Sequence, residues 1–311
     1  MKQISVIGAT SPLGVHLVSK LVNEGLGVMA SFRSLDRVPD KWTDIQLITP
    51  INLDLKEPHD SVAFKSDVIV WLAHLDAGRD NAFEIDTNLR AFDNCLKNID
   101  RSLTKKIVFV SSGGSVYGPQ DSIPIKEDQE RRPISSYGKA KLALENRLLE
   151  FAGSIEVDVA ILRPGNIYGF ESPDRFSKGV VGAFLRSLDN GRRFTLIHGG
   201  NTVRDFVHVD DVCDAIFSAV NCPRGRTVWN VSTGIGHRIS EVLDMIQQIT
   251  GGRMPELNSI ENYASDVLIS VLSPELIRSE SGWSAKIDLG TGIAATVKNW
   301  QSATKSQIRA V

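Results

Sequence analysis

The first thirty residues constrain the fold most. An apolar strand pattern, Ile4-Ser5-Val6-Ile7, runs without a spacer into Gly8-Ala9-Thr10-Ser11-Pro12-Leu13-Gly14. A helix follows, with apolar residues at Val15, Leu17, Val18, Leu21 and Val22, and Gly25 closes it. Val28-Met29-Ala30-Ser31-Phe32 reads as the next strand. Strand, turn, helix, strand is a βαβ unit, and such a unit sets two parallel strands side by side with the helix packed over them. The glycines allow a tight turn and close approach of backbone to a pyrophosphate, and the helix N-terminus faces the anion. Two glycines alone also suit an ordinary βα turn, so the rest of the chain has to decide.

The alternation continues. Ile45-Gln46-Leu47-Ile48 reads as a third strand ending near Asn52-Leu53-Asp54-Leu55, and Asp67 to Ala73 as a fourth, apolar enough for a buried parallel sheet. A helix is expected over 80–98, a fifth strand over 106–110, a helix over 137–151 and a sixth strand over 157–162. This pattern predicts an α/β fold, a doubly wound parallel sheet with ligands at the C-terminal ends of its strands. After residue 165 the texture changes. Helices are expected over 178–190, within 207–220 and over 239–250, with short strands at 194–197 and 228–231. The tail after about residue 300 is polar and is expected to fray. The expected division is a dinucleotide-binding domain of 1–165 plus about 206–230. A smaller C-terminal α/β substrate lobe takes about 166–205 and 231–311.

Composition excludes several classes. A net charge of −2 gives no basic field for nucleic acid or an anionic membrane. No apolar run is long enough to span a membrane, and no signal peptide pattern opens the chain. Cys95, Cys213 and Cys222 form neither a CxxC motif nor a Cys/His cluster, so no metal site and no disulfide scaffold are expected. A cytoplasmic protein is the plain expectation.

The chemistry gathers at the end of the fifth strand. Lys106 to Val110 leads into Ser111-Ser112-Gly113-Gly114-Ser115-Val116-Tyr117-Gly118. Tyr137 stands 25 residues after Ser112, and Lys141 one helical turn after Tyr137, on the same helix face. Ser, Tyr and Lys in this order can move a proton at a carbinol while a nicotinamide takes or gives the hydride. A phenol ionises near pH 10 in water, and a nearby ammonium and a cationic nicotinamide are expected to lower that value.

Together these residues resemble the extended short-chain dehydrogenase/reductase family, within it the nucleotide-sugar epimerase/dehydratase group, over residues 3 to 300. The Gly8–Gly14 loop is similar to a GxxGxxG motif in which Ser11 replaces the middle glycine. Asp54-Leu55, Asn88 with Asn94, Ser111 to Gly118, Tyr137 with Lys141, Arg163 to Gly169 and Val203 to Asp211 match further family motifs. The resemblance implies a Rossmann domain, catalysis by Ser112, Tyr137 and Lys141, and a nucleotide-diphosphate sugar as substrate. Ser111 and Ser115 remain alternatives to Ser112. Counting back from Tyr117 lands on Gly113, which has no side chain to donate a bond. Cofactor contacts are implied for Gly8, Thr10, Ser11, Pro12, Leu13, Gly14, Asp54, Leu55, Leu72, Ala73, Asn88, Val110 and Pro164, besides Tyr137 and Lys141. Substrate contacts are implied for His74, Ser115, Asn166 and Arg204. The family has a second phosphate arginine three residues before an Asp, and Tyr263 stands there, before Asp266. His74 is read either as lining the nicotinamide or sugar side or as a structural histidine, and His208 as structural.

No acid follows the second strand until Asp36, whereas Arg33, with Ser31 or Ser34, could hold a 2′-phosphate by charge-assisted bonds. NADP(H) is therefore expected over NAD(H), the alternative being an Arg33 in solvent stacked on adenine. Three functions are weighed. The first is an NAD(P)-dependent nucleotide-sugar 4-epimerase and the second an NADPH-dependent 4-ketosugar reductase. The third is a non-catalytic NADP(H) sensor, against which the intact trio counts. A dehydratase needs an acid beside the strand-end serine, and Gly113-Gly114 supplies none. The resemblance also implies a homodimer through the helices at 80–98 and 137–151.

Overall fold

In a computed structural model, residues 2–57, 62–75, 83–154, 157–170, 179–223, 225–261 and 266–309 are described, the last five without their side chains. The elements run β1 (Gln3–Ile7), α1 (Pro12–Asn23), β2 (Gly27–Phe32), β3 (Ile48–Asn52), β4 (Val68–Trp71), α2 (Glu84–Lys97) and β5 (Lys106–Val110). Then follow α3 (Gly113–Val116), α4 (Ser136–Ser154), β6 (Asp158–Pro164), β7 (Asn166–Tyr168), α5 (Val180–Asn190), β8 (Phe194–Ile197) and β9 (Val203–His208). The chain ends with α6 (Val209–Asn221), β10 (Arg226–Val231), β11 (Gly236–Arg238), α7 (Ile239–Ile249), β12 (Leu257–Ile260), β13 (Ile269–Ser270), α8 (Glu275–Ser281) and α9 (Leu289–Arg309).

Seven strands form one parallel sheet in the order β10-β6-β5-β4-β1-β2-β3. The expected doubly wound α/β sheet is present. Alternate residues of each strand point to opposite faces. Ile4, Val6, Val108, Val110, Ala160 and Leu162 meet α1 and α6 on one face, through Leu17, Val18, Leu21, Val212 and Ile216. Ile7, Ile107, Phe109, Val159 and Ile161 meet α2 and α4 on the other, through Phe92, Leu96, Leu144 and Leu148. Burying each such side chain contributes about 1.5–3 kcal/mol. Lys106 and Lys2 donate to carbonyls at the C-terminus of α6, where a cation suits the helix dipole.

The third strand lies at Ile48–Asn52, later than the 45–48 run suggests. Its register pairs Val28 with Ile48, so Ile45 falls in the preceding turn. β3 is an edge strand, and that tolerates Pro50, which has no N–H for a neighbour. The tail does not fray at residue 300, since α9 continues to Arg309. Trp300 anchors it, buried and donating its indole N–H to Asp189 at 2.6 Å.

The second lobe has a small sheet, β11-β9-β13 with β7 also on β9, and a β12-β8 pair. Its core is Phe184, Leu185, Val242, Ile246, Ile293, Val297 and Trp300. β9 belongs wholly to this small sheet, while Ile277 of α8 and Trp283 join the core of the large one. The packing therefore changes at residue 208, where β9 passes into α6, and the segment after 231 contributes to both cores. Among the described residues, no helix is long and apolar enough to cross a membrane.

Candidate active site

The C-terminal ends of β1, β4, β5 and β6 lie side by side at one end of the parallel sheet. At β1, Gly8 takes φ +89°, and a Cβ there would lie 3.0 Å from the Ala73 nitrogen and 3.3 Å from the Ala73 Cβ. A Cβ on Gly14 would come within 2.5 Å of the Gly8 and Ala9 carbonyls, so α1 starts tight against the turn. Ser11 is the N-cap of α1. Its φ is −72°, and its hydroxyl accepts from Gly14 N at 3.1 Å, with Pro12 beginning the helix. Ser11 therefore stands at the motif's middle position without a strained φ, and serves there as the helix cap. These features fit a dinucleotide: a backbone cradle that a side chain would fill, next to a capped helix N-terminus. Gly8→Ala is expected to cost about 1–3 kcal/mol of stability, measured by chemical denaturation.

The other implied cofactor positions surround this cradle. Leu72 N donates to Ile7 O at 2.9 Å and brings Ala73 against Gly8. Asn88 is buried and clamps Leu75, accepting from its N–H and donating to its C=O, both at 2.8 Å. Asp54 accepts from Lys56 N, while Leu55 points into the core. The 2′-phosphate grip is weaker than the sequence suggests. Ser31 is buried, its hydroxyl accepting from Gly8 N at 2.9 Å, and Ser34 donates to Asp36. Arg33 is exposed after β2, in an exposed run that continues through Arg37.

Ser112 is the N-cap residue of the short helix α3 and donates to Ser115 Oγ at 3.2 Å, and its hydroxyl favours the ionised form of the Tyr137 phenol. Gly113 cannot carry a side chain. A Cβ there would stand 2.3 Å from Leu272 Cδ1 and 2.8 Å from the Arg163 carbonyl. Ser111 donates to Glu145 at 2.5 Å. Of the three serines, Ser112 is the one whose side chain lowers the Tyr137 phenol pKa against the effect of burial.

Lys141 is buried and donates to the Val110 carbonyl at 2.9 Å, its Nζ lying 5.9 Å from the Tyr137 ring centroid. Burial lowers Lys141 to about 8, with Glu145 pulling it back up. The Tyr137 ring is 37% exposed, but desolvation of its hydroxyl pushes the phenol up to about 12. The Ser112 hydroxyl opposes that rise and the Glu84 charge adds to it. The expected lowering by the Lys141 ammonium is therefore absent among the protein's own groups. Desolvation dominates, and Lys141 is turned to a backbone carbonyl.

Beneath the trio lies a buried network that the sequence reading missed. Glu145 forms a two-pronged pair with Arg163, at 3.1 and 2.7 Å, and also accepts from Arg131. Arg163 donates to the Tyr117 hydroxyl, which donates to Asn230 at 2.7 Å. Glu145 follows Lys141 by four residues and Tyr137 by eight, and an acid at that helical spacing was the available signal. A second missed acid is Glu84, buried between His74 and Ser136.

On the substrate side, Asn166 Oδ1 lies 3.3 Å from where a Cβ on Gly114 would stand, so it faces the α3 turn. Arg204 is held by Asp266 at 2.5 Å and donates to the Val203 and Leu268 carbonyls, with its side chain 9% exposed. It is already paired, which reduces what it can offer a diphosphate. Tyr263 lies outside the described residues. Asp205 pins the 233–234 turn with three hydrogen bonds of 2.8–2.9 Å. His208 caps α6 by accepting from Asp210 N at 3.2 Å, and burial lowers its pKa, keeping it in the neutral form that a cap acceptor needs.

The UDP-glucose 4-epimerase of Mycolicibacterium smegmatis is 29% identical over 313 residues, 97% of this chain and 99% of the relative. The UDP-glucose 4-epimerase of Thermotoga maritima, solved with UDP-glucose, superposes with a TM-score of 0.85 at 25% identity, covering 97% of this chain and 99% of that one. The Thermus thermophilus UDP-glucose 4-epimerase, solved with NAD, gives 0.82 at 27% identity, covering 97% and 99%. Residues 4–232 match the model of the NAD dependent epimerase/dehydratase family, and the chain belongs to that family.

Proposed function

We propose that this chain is a nucleotide-sugar 4-epimerase working with NAD. The observation that carries it is the meeting of Ser112, Tyr137 and Lys141 at the end of β5, beside the Gly8–Ala73 cradle. NAD when bound supplies the hydride acceptor and a positive ring charge. Tyr137 takes and returns the proton of the sugar hydroxyl, and Ser112 orients that oxygen. Lys141, seated on Val110 O, reaches toward the cofactor ribose. Asn166, Ser115 and Arg204 lie toward the nucleotide sugar, with Arg204 shared between it and Asp266. Two arguments move the choice from NADP(H) to NAD: the internal engagement of Ser31 and Ser34, and the NAD bound to a solved relative.

The test offers UDP-hexoses to the purified protein and follows both product and reduced-nicotinamide absorbance. Interconversion without net absorbance change is expected, whereas stoichiometric NADPH consumption would establish the ketosugar reductase instead. Arg33→Ala is expected to weaken NADP about tenfold or more and leave NAD within about twofold, read by titration of each nucleotide, because a guanidinium–phosphate bond contributes about 1.5–3 kcal/mol. Equal effects would remove Arg33 from the ribose site. A homodimer through α2 and α4, which Arg147 and Asp93 already tie together at 2.5 Å, forms part of the proposal.

A further inference from the structure

Tyr137 has a neighbour that the trio does not account for. His74 leaves β4 three residues after Trp71, next to Ala73 of the cradle. Its imidazole stands edge-on to the Tyr137 ring, centroids 4.8 Å apart and planes at 77°. Its Nε2 bonds Glu84 Oε1 at 2.6 Å. The other oxygen of Glu84 accepts from the Ser136 hydroxyl at 2.8 Å. Ser136 is the first residue of α4 and Tyr137 the second. One carboxylate, 4% exposed, therefore joins three elements: the loop after β4, the start of α2 and the start of α4. A buried acid used this way holds its partners closely, because a charge-assisted bond in a dry site is short and directional.

We propose that His74, clamped by Glu84 and through it to Ser136, is the positioning residue for Tyr137. A half-exposed phenol at the start of a helix has little of its own to hold the ring. The imidazole supplies a wall against one side of the ring, and Glu84 fixes both that wall and the backbone turn from which Tyr137 projects. The carboxylate has a second effect, since its charge raises the Tyr137 phenol. The imidazole is bonded to that carboxylate and stands edge-on to the ring. Lys141 is the other charged group near the ring among the described residues.

The inference rests on the epimerase reading, so its test has two arms. In the first, His74→Ala is expected to lower kcat by about tenfold or more with KM within about twofold, since misplacing a reacting group costs rate rather than binding. Glu84→Gln keeps both hydrogen bonds and should stay within about threefold of wild type, and Glu84→Leu should match His74→Ala. His74→Phe keeps an aromatic edge but cannot bond Glu84, and it should remain impaired. Wild-type kcat in His74→Phe, or a defect in KM alone, overturns the proposal. The second arm needs no turnover. The ultraviolet difference titration of Tyr137 is recorded in the NAD-bound protein, with Tyr137→Phe as the subtraction. His74→Ala should move its midpoint upward, because Glu84 then faces the phenol without its imidazole, and an unmoved midpoint overturns the proposal. If wild type turns over no UDP-hexose while that midpoint still moves, the fault lies in the substrate reading and the role of His74 stands.

Discussion

Tyr137→Phe is expected to lower turnover of a UDP-hexose by about 10²–10⁴-fold, the usual worth of a positioned proton donor or acceptor. Dinucleotide binding should change by less than about twofold, since the Gly8 cradle and the α1 N-terminus do not involve the phenol. Steady-state kinetics together with nucleotide titration check both halves. The contrast between them is the informative part. The ring also meets His74 edge-on, and Phe preserves that contact. What the variant removes is the hydroxyl that carries the proton. Activity near wild type would take Tyr137 out of the chemistry and leave the family resemblance without its central residue.

The second large effect concerns stability. Glu145→Ala should destabilise the fold by about 3–5 kcal/mol, because it leaves the Arg163 guanidinium buried without its carboxylate. Both residues of the pair are almost wholly buried, Arg163 at 3% and Glu145 at 0% exposure. Ser111 and Arg131 lose the same acceptor. The denaturation midpoint in urea reports the loss. Glu145→Gln, which keeps an acceptor for Arg163, should fall between. A change below about 1 kcal/mol for the alanine variant would mean that water reaches Arg163 and that the network is not a dry one.

Much of this site was legible because its parts are local. The Gly8–Gly14 turn, the β5 end and the Tyr137–Lys141 turn each place their residues within a few positions of one another, where the strand and helix periods fix direction. Ser11 departs from the motif at a position whose φ is negative, a fact the chain alone does not reveal. What stayed hidden depends on long-range packing. Gly113 is required by Leu272, which arrives from 159 residues away. Glu84 matters because the loop after β4 and the start of α4 converge on it, and no spacing in the chain signals that meeting. Arg204 matches the family motif, yet its partner Asp266 comes from the strand region beside it and answers much of its charge. Ser31 lies at the right strand end for a cofactor hydroxyl, but the turn after β1 claims it first.

The strand order of the large sheet has a consequence for how the chain is made. β10 borders β6, but 61 residues separate Pro164 at the end of β6 from Arg226 at the start of β10. During synthesis the ribosome delivers β7, α5, β8 and β9 in that interval, before α6 carries the chain back. Until residue 231 has emerged, β6 remains a bare edge with its ladder groups open, the state in which strands pair with the wrong partner. The first lobe therefore cannot finish before strands of the second have been laid down.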